Sequence, residues 1–581
     1  MKLKALGLTA MAVAAAALVA ACGGGGGGGE TAAAQSDVTL SGVAATGLAL
    51  ASAPVDVKCA SGTGSATTNA SGGYTVTVAN GALPCIVKVT GTAADGSTVT
   101  LHSLAQGTGS TATANVTPLT EMILARAVGT LPADLFANFG TGTAVTAAAV
   151  TQASTDILAA LSTAAGVDLS AIDPFKTTLV AATSDNPTGG NNYDQLLDQL
   201  GTVVSPATLP QVVSQIASTT ASTAPVTLNE VVANVSKGTL EGCPQALSGK
   251  YRIVDYVGAS DVVDIDFKAG LVKAADGEFS ISPSSQACEF DVMGTVPTTV
   301  VIGPSGAGVT RDAERAGFIF PVQSHTLASV TGKWEFLESG VEEASFNNFP
   351  RHWIGEMNIA ADGSTSVCDY RVPQNDFSAG CEPDTEETAA IAAQADGTFK
   401  LQYGDAATNV YGFRAPGGAL TLFGTNNPTG SLAGEVLKTS FVLTRPQSPT
   451  PPAVGTISKY WDIVQNVAVT STGAIALNSS NQIVYTAGAP ARNQTVVTAA
   501  TENTLTRKLT SSGSDNGRVD TLTFNSPIQG MRSRPQGVDN STGTPINYSA
   551  VFIRALPGTG ISVALDNRVQ AHFMSYSVAR P

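Results

Sequence analysis

Four histidines, His102, His325, His352 and His572, are the chain's whole supply of imidazole. They fall in separate segments, without the H-x-H or H-E-x-x-H spacing that sets two metal ligands on one face. The acid-rich stretch "CEPDTEET" places Glu382, Asp384, Glu386 and Glu387 beside Cys381. Alternate carboxylates such as Asp384 and Glu386 are the hard oxygen ligands that calcium takes. A calcium loop wants a central glycine and wider spacing, so the stretch reads as a solvated acidic loop and no metal is expected. Glu342-Glu343 supplies one half of a glycosidase pair, whose second carboxylate must stand ~5–9 Å away, and the sequence assigns no such partner. In "GPSGAG" from Gly303, Ala307 occupies the position where a nucleophile elbow needs its last glycine. Tyr251, Trp334, Trp353 and Trp461 are of the kind that stack on sugars, yet one aromatic at a strand head is the ordinary pattern of a core. The expectation is therefore a protein that is no enzyme and carries no cofactor, and whose chemistry is binding or architecture.

The elements that would position these residues are mainly β. With 581 residues, the chain is too long for one core. Its charged fraction is 13%, about half the usual ~25%. A net charge of -15 leaves no basic stripe to displace phosphate counterions, which excludes nucleic acid as a partner. Residues 37–115 carry short β-runs with turn signals, and in "YTVTV" Tyr74, Val76 and Val78 share one face. From "NVTPLTEMILARAVG" the apolar spacing turns helical, which makes 116–242 a small helical domain.

Beyond Cys243 the text is β to its end. "LSGKYRIVDY", "VTGKWEFLES" and "ISKYWDIVQN" each set lysine and aromatics at the head of an alternating strand, and so mark three modules at 243–327, 328–445 and 456–581. Asp276-Gly277, Asp362-Gly363 and Asp396-Gly397 break strands as hairpin turns do. The second module opens at Trp334 and closes at Arg445, and the third opens at Trp461 and closes at Arg580. A barrel pairs its first and last strands, which would stack each arginine on its tryptophan. Residues 446–455, "PQSPTPPAVG", form a stiff proline-rich spacer that would leave the third module free to swing. The expected fold is multidomain and mainly β: a β-sandwich, a small α-helical domain, then antiparallel barrel or sandwich modules.

Three resemblances add to this reading. Lys2 and Lys4, the apolar run Leu6 to Ala21 and the sequence Leu18-Val19-Ala20-Ala21-Cys22 resemble the signal peptide and lipobox of bacterial lipoproteins. That resemblance implies cleavage after residue 21 and acylation of Cys22. It also implies a membrane partner reached through the lipid and, with Gly23 rather than aspartate next, the outer membrane of a Gram-negative cell. The seven glycines that follow then read as a tether within residues 22–36, holding the first domain roughly 20 Å from the lipid. Gly42-Val43, Pro54-Val55-Asp56-Val57 and Ala66-Thr67-Thr68 with Gly73-Tyr74 resemble the carboxypeptidase-regulatory, transthyretin-like sandwich, which implies a spacer without catalytic residues. Gly332-Lys333-Trp334 resembles the G-x-W opening of lipocalins, which implies a carrier of a small apolar ligand as the alternative to an envelope lipoprotein that binds protein or glycan.

With Cys22 assigned to lipid, six cysteines remain in an oxidising compartment. Six allow 15 pairings, and the domain boundaries favour the sequential one: Cys59 with Cys85, Cys243 with Cys288, Cys368 with Cys381.

Overall fold

The computed structural model describes residues 36–581, apart from 142–144, 221–223, 225, 344–347, 371–376, 378–379, 384–388, 405, 427–435, 472–474, 481, 512–514 and 567–572. It is mainly β and multidomain. Cys22, the tether, His572 and the calcium candidates Asp384 and Glu386 lie outside the described residues.

The N-terminal sandwich has a three-stranded sheet, with Val38–Val43 between Gly73–Val78 and Thr111–Thr113. Its second sheet orders Thr63–Thr67, Pro54–Ser61, Ala82–Thr92 and Thr98–Ala105. Tyr74, Val76 and Val78 are buried while Thr75 and Thr77 face water, the period-2 pattern of a half-covered strand. Cys59 and Cys85 sit directly opposite each other across the second sheet and are bridged.

Helix Pro118–Val128 follows at once. Thr117 caps it by accepting from the Thr120 amide, Pro118 occupies its first turn, and Gly129 ends it at φ 66, a left-handed position that favours glycine. Leu119, Met122 and Ile123 of this helix are buried in one apolar core with Val87 and Leu101 of the sandwich and Val212 and Ile216 of helix Leu209–Ser218. Glu121 fixes the join, since one carboxylate oxygen accepts from the His102 amide at 2.5 Å and stands 2.9 Å from His102 Nδ1.

The remainder is three eight-stranded antiparallel barrels. The first closes on itself, with Gly249–Asp255 paired to Ala316–Pro321. In the second, Gly332–Glu343 pairs with Val436–Thr444, and Asn348–Ile359 pairs with Ser364–Asp369 to complete the ring. In the third, Ile457–Val467 pairs with Phe573–Ala579, its last strand. Disulfides Cys243–Cys288 and Cys368–Cys381 complete three bridges in the sequential order.

The third barrel is not free to swing. The barrels press their outer faces into one apolar core, where Phe318 and Phe320 of the first meet Phe423 of the second at 4.8 and 4.4 Å between ring centroids. Phe318 also meets Tyr576 of the third barrel at 5.0 Å. The proline-rich stretch is itself held down by hydrogen bonds to the third barrel. Pro449 O accepts from Asn525 Nδ2 at 3.2 Å, Gln529 Nε2 donates to Ser448 Oγ at 2.7 Å, and Gln447 Nε2 donates to Ala555 O at 3.1 Å.

Candidate functional site

Strand alternation decides what each barrel encloses. In the second barrel Trp334, Phe336, Phe399, Phe441 and Leu443 gather into an apolar cluster of their own, so its interior is filled by side chains. In the first, Tyr251, Phe267 and Phe290 pack ring against ring at 5.8 and 4.8 Å. Burial thus removes Tyr251, Trp334 and Trp461 from any role as sugar platforms. Trp461 instead donates its indole N–H to Glu289 of the first barrel at 3.0 Å, and Arg492 stands 3.3 Å from the same carboxylate.

The third barrel differs. On its first strand, Trp461, Ile463 and Val467 point out into the shared core, which turns Tyr460, Asp462 and Val464 inward. The same alternation brings Asn493, Arg507, Arg532 and Arg534 to the lining of a cavity of about 470 Å³, and turns Asp520 to the same side as the lining residues Leu522 and Phe524. Leu505, Leu522 and Phe524 give the chamber an apolar side.

Asp520 is the hub. Its side chain is 1% exposed and accepts from Arg507 Nε at 2.7 Å and Arg534 at 2.8 Å, with Arg518 at 3.2 Å. Burial works to raise the Asp520 carboxyl, but the charges of Arg507, Arg534 and Arg518 outweigh it and hold it down at about 2. Arg518 also pairs with Asp515, and Tyr548 lies against both Arg534 and Arg518, with guanidinium carbons 5.0 and 5.5 Å from its ring centroid. Asp462 accepts from the hydroxyls of Ser575 at 2.5 Å and Ser577 at 3.1 Å, and burial pushes its carboxyl up against these bonds.

Arg532 stands apart. Among the described residues no carboxylate pairs with it, and it donates to the Ser562 hydroxyl at 3.1 Å. Burial, and then the like charge of Arg507, lower Arg532 to about 10, which leaves it a cation at neutral pH. Two further polar atoms of the lining are buried without a partner: the Nε of Arg518 and the Oδ1 of Asn493.

The bookend residues serve the walls. The Arg445 guanidinium carbon lies 3.9 Å from the Trp334 ring centroid, and that of Arg580 lies 5.7 Å from Trp461. Glu356 lies close enough to Cys368 and Cys381 to suggest a metal cluster, but those two sulfurs are bonded to each other. Sequence reasoning passed over the chamber arginines by treating charge as solvent-facing. The signal was there: Arg507 shares its strand face with Leu505 and Leu509, and Asp520 shares its face with Leu522 and Phe524.

No protein-family model matches the chain, and no curated protein matches it. A solved structure of a double mutant of the vaccine antigen Transferrin Binding Protein B from Haemophilus parasuis is similar at 11% identity and TM-score 0.19, over 55% of this chain. The chain spans about 65% of that structure's length, and so slight a likeness carries no conclusion about fold or function.

Proposed function

We propose that the protein is a lipid-anchored binding protein of the cell envelope, whose third barrel holds the ligand while the other two barrels and the sandwich carry it. The observation behind this reading is the contrast among three barrels of one chain, two filled with apolar side chains and one enclosing about 470 Å³ lined with charge. That volume suits a drug-sized molecule. Binding fits better than catalysis: Asp520, held at about 2, is too weak a base to abstract protons near neutrality, and Asp462 is engaged by the hydroxyls of Ser575 and Ser577. The arginines and aspartates that share this lining with apolar side chains also set it apart from the wholly apolar pocket that a lipocalin-like carrier of an apolar ligand would offer. The lipobox around Cys22 supports anchoring through acyl chains, two or more of which hold a protein stably on a bilayer. The residue that follows, Gly23, favours the outer membrane.

The test is native mass spectrometry of the chain extracted from its own membrane, beside a Cys22→Ser variant. The expected result is acyl mass on the wild type alone, and in both proteins a small-molecule mass lost on unfolding. A chain that carries no such molecule, and whose melting temperature no small ligand raises, would overturn the reading of the barrel. An unmodified Cys22 would overturn the anchor.

A further inference from the structure

The ligand's chemistry follows from what the chamber leaves uncompensated. Burying an ionised group without a counter-charge is strongly unfavourable, and proteins ordinarily pair such groups. Three of the four chamber arginines obey this rule through Asp520 and Asp515. The neighbouring carboxylate of Asp539 is occupied elsewhere, accepting from the Val519 amide at 2.6 Å and from the Ser541 hydroxyl at 3.0 Å. Asp462 is taken by its two serines. Arg532, lining the same cavity beside the like charge of Arg507, meets one serine hydroxyl and the Phe524 ring, whose centroid lies 5.9 Å from its guanidinium carbon, but no carboxylate among the described residues. Arg532 is thus the one arginine of the chamber lining left without a carboxylate among the described residues.

We propose that the third barrel binds a small organic oxyanion, a carboxylate or a phosphate ester, with its charged group on Arg532. This inference rests on the reading of the barrel as a binding chamber. A guanidinium presents its donors in a planar fork that matches both kinds of oxyanion. The volume exceeds what a bare inorganic anion fills, so the charged group brings an organic body, for which Leu522, Phe524 and Tyr548 supply apolar surface.

Isothermal titration of the whole protein with benzoate, phenyl phosphate and the neutral benzamide tests the inference. The expected result is that at least one of the two anions binds tenfold or more tightly than benzamide. The preference should vanish in Arg532→Gln and survive in part in Arg532→Lys, and whichever anion binds more tightly names the headgroup class. Equal affinity for benzoate, phenyl phosphate and benzamide in the wild type would overturn the oxyanion while leaving a binding chamber, as would a preference that persists in Arg532→Gln. Binding of none of the three, with no rise in melting temperature, would overturn both. Should Arg532→Gln fail to fold, the comparison of acids with the amide in the wild type decides alone.

Discussion

At the scale of single residues the molecule's acid response should turn on a histidine outside the chamber. Burial, and then the charge of Arg414, push His325 down to about 3. Its Nε2 is shut from solvent without a partner. Gly412 makes room for the ring, since a Cβ there would stand 2.4 Å from His325 Cδ2. An unfolded chain protonates this imidazole near ~6.5, so between there and about 3 the unfolded state binds the extra proton and stability falls as pH falls. Asp520 acts lower, its contribution being lost only below the ordinary carboxylate range, toward about 2. The difference in melting temperature between wild type and His325→Gln should therefore shift against the wild type as pH drops from 7 to 4. A difference that stays constant over that range would show His325 to titrate normally.

At the scale of elements, the barrel heads were legible because lysine and aromatics recur there, and the closing arginines were legible because the second and third modules end alike. Their arrangement also ranks two substitutions. Arg445 lies 3.9 Å over Trp334 and donates to the carbonyls of Ser329 at 3.1 Å and Lys333 at 3.3 Å, whereas Arg580 lies 5.7 Å from its tryptophan. Arg445→Ala should cost about 1–2 kcal/mol and Arg580→Ala nearer ~0.5 kcal/mol, in line with cation–π contacts at differing desolvation. Urea denaturation of the two variants checks the order, and a larger loss at Arg580 would contradict it. Other elements were hidden. Helix Leu228–Ser236 is short, and its one mark in the sequence is the capping box of Thr227 and Glu230. The chamber was hidden for a deeper reason: alternation tells that Asp520 and Leu522 share a face, but only ring closure, set by contacts far apart in sequence, decides that this face looks inward.

At the scale of the whole molecule, a proline-rich segment suggested independent modules, and the structure shows how a chain can have such a segment and still be welded. Arg554 of the third barrel is fully buried and pairs with Glu335 of the second, which is itself buried; Arg554 also donates to Thr444 at 3.3 Å. Its Nε and remaining terminal nitrogen have no hydrogen-bond partner, so among the described residues Glu335 is the one carboxylate that pairs with it directly, with Glu356 acting from farther off. Removing one member of such a pair strands the other, a loss of about 3–5 kcal/mol, while replacing both by apolar side chains is often neutral. Glu335→Gln and Arg554→Met should each destabilise by that amount, and Glu335→Leu combined with Arg554→Met by much less than their sum. Because the pair joins two barrels, either single substitution should lower the unfolding free energy of both together. That joint response is read by hydrogen exchange on strands Gly332–Glu343 and Val551–Leu556. If the second and third barrels moved independently in solution, Glu335 and Arg554 would each find water, the single substitutions would cost little, and exchange would rise in one barrel without the other.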